Sequence, residues 1–334
     1  MNKVYILDNT LRDGGYINDF KFGEKCIRDI INRLACSGID IIECGFLDMR
    51  RDMQDYDSTI FGSIGQIQEL IEKKNVKYVV MCQCKDFVSD RLPNNNGEII
   101  DGIRLSFHKH EIDNALEFGR EIIRKGYMLF LQPIAISTYD HILLKNLINE
   151  VNDMSPYAFY IVDTFGALTK KHFVEMLQYV DNLLYEEIAL GIHLHDNLKE
   201  AIYNLYEFLD YSCIRERLID ASVSGLGRCA GNLETENVAR LLNSKEKCRY
   251  DVSELDIIEK SYIEELKRKK LYGYDECYRI SAELNCHPMY SNFLKRIERL
   301  SRDDLFFLIK NISKDERELY NEEYIIKMVN EYLG

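Results

Sequence analysis

The chain has no apolar run as long as the ~18 residues a membrane-spanning helix requires. Lys3 leads straight into a short apolar segment with no hydrophobic leader before it, so a cytoplasmic protein is expected. Positive charge is in short supply: 43 Lys and Arg stand against 56 Asp and Glu, a formal net charge of -13. Such a surface repels phosphates, which argues against a nucleic-acid partner or an anionic membrane and leaves small molecules as the expected ligands. Regular cysteine spacing is also missing. Ten cysteines scattered through 334 residues read as reduced thiols rather than a disulfide framework. Cys82 and Cys84 form the closest pair and read as packing residues in preference to metal ligands. What the sequence does have is bulk: at 46% hydrophobic it can bury the core of one large domain and a smaller one.

Short β-type runs alternate with longer amphipathic stretches, the pattern of a parallel sheet with crossover helices. Strands are predicted at Lys3 to Asp8, Ile39 to Gly45, Lys77 to Cys82, Gly102 to Phe107, Met128 to Pro133, Ala158 to Asp163, Ala189 to His195 and Leu218 to Ser224. That number closes a barrel, so the expected fold is an α/β (β/α)8 TIM barrel over residues 1–245. Helix faces such as Ile27, Ile30, Ile31 and Leu34 fit between the strands. After Lys245 the strand signal stops. Leu255, Ile258, Tyr262 and Leu266 step along one helix face, and further helices are predicted at Asp275 to Leu284, Asn292 to Leu300, Asp303 to Ile312 and Glu322 to Leu333. Residues 246–334 are therefore expected to form a C-terminal helical domain, packed on the barrel because no Gly/Ser-rich linker separates them.

A barrel of this kind carries its chemistry just beyond the C-terminal ends of its strands. After the first strand come Arg12, Asp13, Gly14, Gly15 and Tyr16; the sixth ends in Asp163-Thr164-Phe165-Gly166. The seventh closes on His193-Leu194-His195, whose two imidazoles share one face of the strand and can converge on one ion. The eighth is followed by a glycine-rich loop ending in Asn232. Each feature alone has a plainer reading: an Arg-Asp pair is ordinarily a solvated turn, and a glycine-rich loop is as often a simple turn or an anion site. Their coincidence on one rim carries the case. Asp13, His193, His195 and Asn232 make a mixed nitrogen and oxygen site with open coordination, suited to one divalent ion, Mn2+ first, with Mg2+ or Zn2+ as alternatives.

The runs Asp8 to Gly14, His193 to Asn197 and Gly225-x-Gly227-x-x-Ala230-Gly231-Asn232 resemble the three signatures of the DRE-TIM metallolyase (HMGL-like) superfamily, over about 240 residues. Within it, Ile103 to His108, Asp163 to Gly166 and His287 to Leu294 are most similar to the 4-hydroxy-2-oxovalerate aldolases. The resemblance implies a barrel mouth with a histidine at His108 and a tyrosine, Tyr290, reaching back from the helical part. One departure stands out: Tyr16 occupies the place where those aldolases carry a histidine taken as the catalytic base. A phenol is a poor base near neutral pH, so Tyr16 is expected to position the acceptor while His108 or a water takes the proton. Cys229 lies where the CoA lyases use a cysteine, but the rest of the loop is unlike theirs, and it reads as a packed residue.

The expected activity is a metal-dependent carbon-carbon lyase acting on 4-hydroxy-2-oxo acids, joining or releasing pyruvate and an aldehyde. Asp13, His193 and His195 would hold the ion, with Asn232 completing or supporting the set. Arg12 would donate charge-assisted hydrogen bonds to the enolate oxygen, and Thr164 would bind substrate. His108, Tyr290, Tyr16 and His287 are the acid-base candidates. The main rival is a Claisen-type synthase of the isopropylmalate or citramalate kind, which condenses an acyl-CoA with a 2-oxo acid; a non-catalytic scaffolding barrel is a third reading. A homo-oligomer is expected, and the aldolase resemblance raises the prospect of an aldehyde dehydrogenase partner.

Overall fold

The computed structural model describes residues 3–52, 55–245, 249–269 and 271–334. Eight parallel strands form its centre: β1 (Val4–Asp8), β2 (Ile41–Leu47), β3 (Lys77–Gln83), β4 (Ile100–Phe107), β5 (Met128–Pro133), β6 (Ala158–Asp163), β7 (Ala189–Leu194) and β8 (Arg217–Ala221). Each pairs with the next in sequence, and β1 pairs with both β2 and β8, which closes the sheet into a barrel. Ile60–Phe61 adds a short parallel pairing to β2. Helices α1 (Glu24–Cys36), α2 (Ile64–Leu70), α3 (Ile112–Arg124), α4 (His141–Met154), α5 (Lys170–Leu183), α6 (Ala201–Asp210) and α7 (Thr235–Lys245) alternate with the strands; between β3 and β4 the chain crosses through short 3-10 turns instead.

Side-chain alternation sorts the strands' residues into two cores. In β6, Phe159 and Ile161 face the main hydrophobic core under the helices, while Ala158, Tyr160 and Val162 belong to a separate cluster with Leu7, Ile41, Val79, Phe130 and Leu218. That second cluster plugs the barrel's lower interior. Gly191 makes room in it, because a Cβ there would stand 2.3 Å from the Tyr160 ring.

Most predicted elements shift by one or two residues at an end, as Ile39–Gly45 does to Ile41–Leu47, and two differ for a visible reason. β8 ends at Ala221, not Ser224, because the chain turns into a loop in which Ser224 adopts φ 55°. This left-handed residue is held by both oxygens of Glu236, which accept its N–H at 3.0 Å. The helix expected over Asn292 to Leu300 lies instead at Pro288–Leu294: His287 caps it by accepting from the Met289 N–H at 3.2 Å, and Pro288 occupies the first turn, where its missing donor costs nothing.

The C-terminal helices are α8 (Val252–Ile258), which runs on through a π-turn to Arg268, then α9 (Glu276–Glu283), α10 (Pro288–Leu294), α11 (Arg302–Lys310) and α12 (Glu322–Leu333). Leu255, Ile258 and Ile263 join the barrel's own core, whereas Ile280, Tyr290, Leu294, Leu305, Ile309 and Ile325 form a core of their own. Residues 246–248, next to the boundary expected at 245/246, lie outside the described residues. Among the described residues no helix is long and apolar enough to cross a membrane, and the nine cysteines present are free thiols.

Candidate active site

Above the apolar plug, the barrel interior turns ionic. Glu43 in β2, Arg104 in β4 and Asp220 in β8 each stand two residues beyond an inward-facing residue and point into the same space. Arg104 is fully buried. It lies 4.9 Å over the Tyr160 ring, pairs with Glu43 Oε1 at 3.0 Å and donates to Asp220 Oδ2. Glu43 Oε2 accepts from Arg12 Nε at 2.8 Å, and Arg12 Nη1 donates to Asp13 Oδ1 at 2.7 Å. Asp220 in turn lies 3.0 Å from His193 Nδ1. One alternating chain of charges thus runs from Asp13 to His193 across the barrel.

The rim loops aim the remaining donors. A helical turn at Thr10–Asp13 follows β1, and Asp8 fixes it by accepting from the Thr10 N–H at 3.0 Å and the Thr235 hydroxyl at 2.6 Å. His193 Nε2 and His195 Nε2 stand 3.4 Å apart, and His195 Nε2 is 3.9 Å from Asp13 Oδ2. An antiparallel bridge pairs His195 with Asn232, whose Nδ2 donates to Asp13 Oδ2 at 2.6 Å. Among the described residues Asp13, His193 and His195 are the group whose ligand atoms all lie within 4.8 Å of one another.

The electrostatics suit a cation. Burial alone would raise the Asp13 carboxyl, but Arg12, the two histidines and Arg228 outweigh it and hold the group well below the usual carboxylate range. Burial lowers His195 to about 3, against the pull of Asp13, so this imidazole is neutral and its lone pair available. Asp220 is likewise held ionised, burial being outweighed by Arg104 and His193. Three carboxylates, Asp13, Glu43 and Asp220, thus face two guanidiniums, Arg12 and Arg104, so the ion-paired ring carries one negative charge in excess, with Arg228 nearby but not ion-paired to it. The buried Asn232 Oδ1 has no hydrogen-bond partner. These properties fit a divalent-metal site, and the ionised Asp220 can orient His193 by accepting a hydrogen bond from Nδ1–H.

A cavity of about 150 Å³ opens beside the cluster, lined by Arg12, Tyr16, His108, Thr164, His193, His195, Arg228, His287 and Glu318 among others. The Thr164 hydroxyl accepts from the Ala135 N–H at 2.8 Å. His108 Nδ1 lies 3.3 Å from Glu318, which Lys109 also pairs at 3.0 Å. An ionised carboxylate only accepts, so Nδ1 carries the proton and Nε2 is left as a base. His287 is arranged the opposite way: its Nδ1 accepts a backbone proton, and burial, then Arg228 and His108, lower it to about 3, so it is a neutral donor through Nε2.

Not every predicted residue is brought to this place. Tyr290 is fully buried in the helical core, where its hydroxyl meets the carbonyls of Glu316 at 2.7 Å and Leu319 at 3.0 Å, away from the cavity lining. It steadies the segment that carries Glu318. Cys82 and Cys84 are buried in the main core, and burial pushes the Cys84 thiol up to about 12. Cys229, also pushed up to about 12 by burial, does not line the cavity. Glu43, Arg104, Asp220 and Arg228 carried no assigned role in the sequence, although a charge at an inward-facing position of an otherwise apolar strand marks the first three.

The fold and site together define a closed (β/α)8 barrel whose C-terminal rim carries a cluster that could hold a metal ion. Residues 108–261 match the family model described as HMGL-like. It is 23% identical over 309 residues to a 4-hydroxy-2-oxovalerate aldolase from Bacillus thuringiensis, covering 90% of this chain and 86% of the aldolase. It is 23% identical over 247 residues to an oxaloacetate decarboxylase from Mycobacterium tuberculosis, covering 72% and 70%. A 2-isopropylmalate synthase from Caldanaerobacter subterraneus is 22% identical over 259 residues, covering 73% of this chain and 63% of the synthase. Among solved structures, the N-terminal domain of a candidate aldolase from Bacteroides vulgatus superposes with a TM-score of 0.72 at 24% identity, over 88% of this chain and 97% of that one. The family is one of carbon-carbon lyases and synthases.

Proposed function

We propose that this protein is a metal-dependent aldolase acting on 4-hydroxy-2-oxo acids, forming or releasing pyruvate and an aldehyde. The observation that carries the reading is the Asp13, His193 and His195 cluster with Arg12 hydrogen-bonded to Asp13 beside an open cavity. A divalent ion on these three residues, with Asn232 supporting it, would supply Lewis-acid polarisation of the keto oxygen; Mn2+ is the first choice over Mg2+ or Zn2+. Arg12 spends Nε on Glu43 and one Nη1 proton on Asp13, which leaves its other N–H groups for the oxygen on which negative charge grows. Thr164 binds the substrate. His108 Nε2 takes the 4-hydroxyl proton in cleavage and returns it in condensation, while His287 donates a hydrogen bond to the acceptor. Tyr16 positions the acceptor; Tyr290 acts through the loop it holds.

The aldolase relative is matched through the C-terminal helices as well as the barrel, which supports the aldol reading. The likeness to the 2-isopropylmalate synthase keeps the Claisen reading as the alternative. The barrel at 1–245 and helical unit at 246–334, the homo-oligomer, the cytoplasmic setting and an aldehyde dehydrogenase partner belong to this proposal too. Its test is pyruvate methyl-proton exchange in deuterated water with added Mn2+, alongside metal analysis of His193→Ala and His195→Ala. Exchange in the wild type, with metal and exchange lost in both variants, is expected. Full metal content and turnover in either variant would place the site elsewhere, and thiol release from an acyl-CoA without methyl exchange would replace the aldolase with the synthase.

A further inference from the structure

We infer that Arg228 is the receptor for a second carboxylate, so that the substrate is a short 2-oxo diacid and the aldehyde it yields itself bears a carboxylate. The inference deepens the 2-oxo acid reading above and rests on it. Arg228 lines the same cavity as Arg12, His193 and His195, yet it differs from the cavity's other cations. Arg12 is held by Asp13 and Glu43, and the Glu318 carboxylate is shared by His108 and Lys109. Arg228 has no carboxylate partner among the described residues, and its Nε is buried with no hydrogen bond. An unpaired, partly buried guanidinium is costly unless a ligand pairs it.

What holds it in place is an aromatic platform. The guanidinium carbon lies 4.6 Å over the Tyr16 ring, which is itself packed edge-on against Phe20 at 5.0 Å and Phe46 at 6.1 Å. The residue that departs from the aldolase pattern thus carries the cation, leaving the planar fork of Arg228 to take a carboxylate with two parallel hydrogen bonds. Charge balance agrees. The barrel's interior chain carries one net negative charge; a divalent ion together with Arg228 turns that into two positive ones, which two substrate carboxylates neutralise. The cavity of about 150 Å³ has room for a few-carbon diacid. Cleavage of the C3–C4 bond of a 4-hydroxy-2-oxo diacid transfers the hydroxyl proton to the base and returns a proton to the pyruvate methyl carbon, releasing pyruvate and a carboxylated aldehyde with no further reactant.

The test is calorimetric titration of the Mn2+-loaded protein with 2-oxoglutarate and 2-oxovalerate, which share a head group and chain length and differ in the terminal carboxylate. The wild type is expected to bind the diacid more tightly by about tenfold or more, the range of a charge-assisted pair. Arg228→Gln should bring the ratio close to one and Arg228→Lys should leave part of it, with Mn2+ content checking that both variants fold. A wild-type ratio near one overturns the inference, and it does so whether or not the variants fold. So does a ratio that survives Arg228→Gln, or tighter binding of a phosphate-ended 2-oxo acid than of 2-oxoglutarate. Methyl exchange of pyruvate is measured on the same samples: exchange absent with the diacid ratio intact removes the aldolase reading and leaves Arg228 as the receptor.

Discussion

Arg12 bonds two carboxylates through different nitrogens, Glu43 at 2.8 Å and Asp13 at 2.7 Å, and no ammonium can span both. Arg12→Lys is therefore expected to retain bound metal while turnover falls about 100-fold, the usual loss for one transition-state donor. Metal analysis beside steady-state kinetics checks this, and unchanged turnover removes Arg12 from the mechanism. Tyr16 and His108 divide the work differently. Tyr16 lies beneath a cation, and its hydroxyl has no hydrogen-bond partner among the described residues, whereas His108 is oriented by Glu318. Tyr16→Phe keeps the ring face and should cost little in kcat, while His108→Ala should lose about 100-fold. If Tyr16→Phe abolishes turnover and His108→Ala changes neither rate nor profile, the tyrosine is the base.

Elements, more than individual side chains, were legible in the sequence. Met128–Pro133, Ala158–Asp163 and Glu322–Leu333 match their predicted extents, because apolar periodicity is a local property of the chain. The end of β8 was not, since Ser224 takes its left-handed conformation from Glu236, a partner supplied by the next helix. The Asp13, His193 and His195 cluster was readable from strand ends and residue types; the Glu43, Arg104 and Asp220 ring that supports it depends on which strands face each other across the closed barrel. Gly227 shows how tightly the last loop is built. A Cβ there would stand 2.3 Å from Asn232 Nδ2 and 2.6 Å from Asp13 Oδ2, two atoms already hydrogen-bonded to each other. Gly227→Ala must push them apart, so metal affinity should fall about 10- to 100-fold with little change in circular dichroism. Unaltered affinity would show that the loop yields without disturbing Asp13.

At the scale of the whole molecule, the candidate metal site is built into the closure of the barrel. The buried ring draws on β2, β4, β7 and β8 and on the turn after β1, so its one excess negative charge bears on closure of the entire sheet rather than one loop. The overall charge of -13 adds a repulsion that a cation also relieves. An ion that binds the closed barrel and not the unfolded chain should, at 100 times Kd, stabilise the fold by about 3 kcal/mol, and chelation should remove that gain. Thermal unfolding followed across a Mn2+ titration is expected to show Tm rising with the logarithm of free metal above Kd, and falling back with a chelator. His193→Ala should flatten the rise while leaving a cooperative transition. A Tm that ignores both metal and chelator in the wild type would mean that the ring's charge is compensated within the protein, and the cation would lose its structural role.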